Sequence, residues 1–193
     1  MFRIMAEQRR NLRPGYTVIY PNRDKAASKT TKSIVVILLV ASAALIFIIT
    51  IGGWSKLQGM KPINVMWALL YLLIAFYIAR WKAGLLPIAA AFAILLLGLA
   101  LIAGTGVAGT SWFDRNHTGF AAPQTIFGTG SLSPSILGAL TLILAPVQLL
   151  VIVFTMQGFS QGWNIEQEVP EDEAKRRGGG QPSAPSDPEP APA

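Results

Sequence analysis

The chain contains no cysteine and a single histidine, and charged residues make up only 13% of its 193 positions. An ordinary soluble domain carries about a quarter charged residues. The missing thiols exclude disulfide frameworks, cysteine-ligated zinc or iron–sulfur centres and thiol catalysis. One histidine, His117, excludes bis-histidine haem ligation within the chain. Carboxylates and histidine are also missing from every long apolar run, and with them the intramembrane group that proton-coupled transport ordinarily uses. Period-two alternation is lacking too, which argues against a membrane barrel.

What the sequence does hold is apolar surface. Hydrophobic residues are 52% of the chain, and mean hydropathy is +0.46 although both ends are polar. Four uncharged runs account for this, over 33–51, 63–79, 85–106 and 136–158. Each is long enough to cross roughly 30 Å of hydrocarbon as a helix. In lipid every backbone N–H and C=O needs an internal partner, so these runs are expected to be helical. The first run is too long for the apolar core of a signal peptide, which spans about 7–15 residues. The predicted fold class is therefore an all-α membrane protein, a four-transmembrane-helix up-down bundle with flexible polar termini.

Charge sets the expected orientation. Residues 1–32 carry eight Lys or Arg against Glu7 and Asp24, a net of +6. With this arm inside, the inner segments also hold Arg80, Lys82, Lys175, Arg176 and Arg177, and only Lys56, Lys61 and Arg115 lie outside. Basic segments favour the cytoplasmic side, so both termini are expected there, in the cell membrane. Trp54 and Trp112 then fall near the outer interface and Trp81 and Trp163 near the inner one, as an amphipathic ring prefers. The chain thus divides into a basic cytoplasmic arm (1–32), a membrane domain (33–159) with one long outer loop (107–134), and a cytoplasmic tail (160–193). From Pro170 the tail is rich in Pro, Gly, Ala and charge and is expected to be disordered.

Helices in lipid associate through close contact and interhelical hydrogen bonds, so small or polar residues at heptad spacing mark protein-facing sides. Asn64, Ala68, Tyr71, Ala75 and Ala79 share a face of the second span. Ala90, Ala93, Ala100 and Gly104 do so in the third, and Thr141, Ala145, Gln148 and Thr155 in the fourth. Tyr71 and Gln148 each lie about halfway along their span, where an unpaired polar group costs several kcal/mol. They are expected to hydrogen-bond to one another. Pro87 falls in a first turn and is harmless, whereas Pro146 is interior and should free the Leu142 carbonyl beside Gln148.

Residues able to do chemistry are few. His117 stands near Asp114 and Arg115 in the outer loop with no further ligand, and Thr50, Thr141 and Thr155 have no adjacent base. Asn116, His117 and Thr118 match the short N-x-T acceptor pattern. The basic arm is scattered and interrupted by Pro14 and Pro21, so it fits anionic lipid headgroups rather than nucleic acid. The tail carries a net charge of −4 and is a possible counterpart to the arm.

These features predict a non-catalytic accessory or structural subunit, with no cofactor or metal, packed against a larger membrane complex or its own copies. Its contacts are expected at Asn64, Ala68, Tyr71, Ala75, Ala93, Ala100, Gly104, Thr141, Gln148 and Thr155 in the membrane and at Trp112 and Phe113 outside. The alternative is a small oligomeric channel or transporter with Gln148, Thr141 and Thr155 lining a pathway.

Overall fold

A computed structural model describes residues 15–54, 61–105 and 132–178. The described residues are predominantly helical and include four helices long and apolar enough to cross a membrane. Two compact units are present, one made of Asn22–Trp163 and the other of Met1–Pro21 with Asn164–Ala193.

The larger unit starts in a short turn of helix, α1 (Pro21–Asp24), and continues into α2 (Ala26–Gly52). Helices α3 (Lys61–Ala79), α4 (Leu86–Thr105) and α5 (Pro134–Ser160) follow. Helix α2 begins seven residues before the uncharged run, so Lys29 and Lys32 belong to the helix and not to a separate arm. The first charge is a poor boundary marker because lysine is a good helix former whose long stem lets its ammonium stay in a polar layer. At α5 the sequence supplies its own start: Ser133 caps the helix, its Oγ accepting the Ile136 N–H at 3.4 Å, and Pro134 takes the first position. The helix continues unbroken past Pro146.

Buried positions recur every three or four residues along α2, α3 and α5, as one protein-facing stripe requires, and α4 keeps the face with a seven-residue step between Ala93 and Ala100. They are Val35, Leu39, Ser42, Ile46 and Ile49 in α2, and Ala68, Tyr71, Ile74, Ala75 and Ile78 in α3. In α4 they are Leu86, Ala89, Ala90, Ala93 and Ala100; in α5, Leu137, Thr141, Leu144, Gln148, Val151 and Thr155. Helix α4 packs most extensively on α5, α2 packs on α3, and α2 also packs on α5. Helices α3 and α4 touch only narrowly although a tight turn joins them, and Trp67 meets Phe92 edge-on between them, centroids 5.5 Å apart.

That turn ends α3 in a Schellman motif. The Lys82 N–H reaches the Tyr77 carbonyl, the Trp81 N–H reaches Ile78, and Trp81 adopts the left-handed conformation at φ 63°. Glycine usually occupies this position, because a side chain there costs roughly 1–2 kcal/mol. A short 3₁₀ turn, Ala83–Leu85, then leads into α4.

The smaller unit corrects the expectation of disorder for the tail as far as residue 178; residues 179–193 lie outside the described residues. Strand β1 (Tyr16–Ile19) pairs antiparallel with β2 (Gln167–Pro170), with Thr17 opposite Val169 and Ile19 opposite Gln167. Val169 is buried, and the Tyr20 hydroxyl donates to Glu166 Oε1 at 2.9 Å. Helix α6 (Glu171–Gly178) follows, and its first N–H, from Glu171, bonds the Gly15 carbonyl at 3.0 Å. Composition pointed to disorder because a short polar segment cannot repay its ordering entropy alone. Here the segment from the far end of the chain supplies the partner strand. Helix α6 also places Glu171, Asp172 and Glu173 in its first turn and basic residues four positions on, which suits the helix dipole and i,i+4 pairing.

Candidate functional site: a buried polar chain across three helices

Gln148 sits in α5 two residues beyond Pro146, among helices whose interior is mostly apolar, with a few buried serine and threonine hydroxyls. Its amide has both an acceptor and donors, and each kind finds a partner on a different helix. The Tyr71 hydroxyl of α3 donates to Gln148 Oε1 at 2.8 Å. Gln148 Nε2 donates to Ser42 Oγ of α2 at 2.9 Å. Ser42 Oγ in turn donates to the Leu38 carbonyl of its own helix at 2.8 Å. Tyr71, Gln148 and Ser42 are each 0% exposed. The chain of bonds therefore lies wholly out of solvent, where leaving one member unpaired costs more than a made bond contributes.

The expected bond between Tyr71 and Gln148 is present. Sequence reasoning missed Ser42. Its signal was weak: one hydroxyl between small residues in an otherwise plain apolar run, 106 positions from its partner. Trp67, one turn before Tyr71, buries its indole N–H beside the polar chain.

The other sequence-selected positions divide by what they touch. Ala68, Ala75, Ala93 and Ala100 are buried, and Asn64 is half-buried. Gly104 faces α5 so closely that a Cβ there would lie 2.6 Å from Leu142 Cγ and 3.2 Å from the Gly138 carbonyl oxygen. Thr141 and Thr155 are buried, and each hydroxyl bonds a carbonyl one turn back, at Leu137 and Val151. Those hydroxyls are satisfied within α5. Trp112, Phe113 and His117 lie outside the described residues.

A second set of polar contacts closes one end of the same unit. Trp163, fully buried just after α5, donates its indole N–H to Gln161 Oε1, and Gln161 Nε2 donates to Thr31 Oγ1, both at 2.9 Å. Trp81 meets Trp163 edge-on at 5.3 Å. Lys32 Nζ lies 4.0 Å from the centroid of a Trp81 ring and donates to the Ala79 carbonyl at the end of α3. Asn22 and Arg23 donate to the Gly162 and Trp163 carbonyls. The start of α2, the end of α3 and the end of α5 are thereby tied together.

Chemically, the buried chain joins two hydroxyls and one amide. It can hold three helices in register, since moving any one of them breaks a bond that nothing apolar replaces. Among the described residues no cluster of three or more His, Cys, Asp or Glu is placed to hold a metal ion. The chain matches no known protein family, curated protein or solved structure.

Proposed function

We propose that this chain is a multi-pass protein of the cell membrane, a four-helix up-down bundle with both termini cytoplasmic, that serves as a non-catalytic structural or accessory subunit. The observation that carries the reading is the Tyr71–Gln148–Ser42 chain. Its polar atoms are spent on one another, as in a scaffold, rather than held open toward a path or substrate. Large apolar side chains support the membrane setting: Ile37 in α2, Met66 in α3, Ile102 in α4 and Val153 in α5 are each more than half exposed. A soluble monomer rarely presents that much continuous apolar surface. Lipid covers part of it, and a larger membrane protein or further copies of the chain cover the rest.

Mild detergent extraction followed by native mass measurement tests the role. A stoichiometric larger partner, or a defined homo-oligomer without flux, is the expected result. Ion or solute flux in proteoliposomes that Gln148→Leu abolishes would replace the subunit reading with a channel. Topology has its own test, simplified by the absence of native cysteine. Lys61→Cys should react with an impermeant maleimide from outside intact cells, and Lys82→Cys only after permeabilisation. The reverse pattern would invert the proposed orientation.

A further inference from the structure

Lys29 and Lys32 lie three residues apart on one face of the first turns of α2, and Lys25 stands just ahead of them at the N-cap of the helix. Lys32 fixes where that face points, because its ammonium reaches the end of α3 at Ala79 and lies over Trp81. The turn carrying Arg80 and Lys82 is therefore at the same end of the unit. Lys25, Lys29, Arg80 and Lys82 are exposed, and no carboxylate among the described residues pairs with them. Within Asn22–Trp163 the only described carboxylate is Asp24, also exposed. Helices start and end together here, so their terminal dipoles offset one another and, within this unit, the side-chain cations set the field.

Along α2 the same face turns apolar. Val36 and Val40 continue the stripe at four-residue steps beyond Lys32, Val36 half-buried and Val40 exposed. We infer that this end of the protein is a binding site for an anionic phospholipid, with Lys25, Lys29 and Lys82 around the headgroup phosphate and an acyl chain lying along Val36 and Val40. Charge complementarity selects an anion, and the adjoining apolar stripe selects a lipid over a free phosphate. Lys32 is a positioning residue: its bonds to Ala79 and Trp81 hold α2 and the α3–α4 turn together so that the other cations converge.

The inference rests on the membrane reading above, and its test separates the two. The full chain is purified in mild detergent and examined by native mass spectrometry with added phosphatidylglycerol or phosphatidylcholine. Retention of phosphatidylglycerol over phosphatidylcholine is expected. The double variant Lys29→Gln/Lys82→Gln should lose roughly 25-fold in apparent affinity, about fivefold per cation. Lys29→Arg/Lys82→Arg should retain the lipid, and so should Lys61→Gln at the opposite end of α3. Equal retention of both lipids, an unchanged double variant, or displacement by millimolar inorganic phosphate would overturn the site. Carbonate-resistant pelleting with membranes reports on the membrane reading separately, so a chain that pellets yet shows no lipid preference refutes the site alone.

Discussion

Gln148 does for α5 what no apolar residue of its size can do: it accepts from α3 and donates to α2 with one planar group. Interhelical bonds in membrane proteins contribute about 0.6 kcal/mol on average and at most about 1.7 kcal/mol. Tyr71→Phe, which removes one bond, should therefore destabilise by about 0.6 kcal/mol, and Gln148→Leu, which removes two, by roughly 1–3 kcal/mol. Unfolding in detergent against a denaturing surfactant reads both. The double variant should cost less than the sum, and strict additivity would show that the two side chains do not act through one another. Trp81 presents a different balance. Its left-handed backbone is unfavourable, yet its ring meets both Trp163 and Lys32. Trp81→Ala keeps the strain and loses the contacts, whereas Trp81→Gly loses the contacts and relieves the strain. The glycine variant should be the more stable of the two by about 1 kcal/mol, and equal melting temperatures would mean that the turn relaxes in the alanine variant.

Among the helices, α4 and α5 pack most extensively, and small residues allow close contact between them. Ala93, Ala100 and Gly104 line the α4 side, and the Gly138 carbonyl lies within reach of any Cβ placed at position 104. Gly104→Val should cost roughly 1–3 kcal/mol by pushing the helices apart. Gly98 lies on the same helix, but a Cβ there meets nothing within 4 Å. Gly98→Ala should be neutral or stabilising by about 0.5–1 kcal/mol, since it only removes backbone freedom from the unfolded chain. Comparable losses at both positions in thermal melts would contradict the assigned faces. Ala79 of the expected α3 face is exposed, and the α2 face, built mainly on Val, Leu and Ile, carried no mark of small or polar residues at heptad spacing. Much of the buried faces of α3, α4 and α5 was legible in advance because heptad spacing and residue size are local properties. The helix ends were less so. Helix α2 passes through Lys29 and Lys32, where charge pointed to a boundary but helix propensity did not.

Across the whole molecule, the two flanks of the chain meet in the β1–β2 pair, which also brings α6 against Gly15. Deleting residues 164–193 should abolish hydrogen-exchange protection at Tyr16–Ile19 and leave the amides of α2–α5 protected, because those helices have their own internal bonds and core. Loss of protection throughout would mean that the two units do not fold separately. The amino-acid sequence determined the four apolar helices, much of the buried stripes of α3, α4 and α5, and the pairing of Tyr71 with Gln148. Each follows from local periodicity, or from the penalty on a polar group placed among apolar ones. Only the tertiary structure decided that Ser42 completes the chain, that Trp81 bears a left-handed backbone, and that a segment rich in charge becomes a strand and a helix. Those outcomes depend on partners far away along the chain, and no local pattern records which distant residue will arrive to satisfy a donor, offset a strain or complete a strand pair.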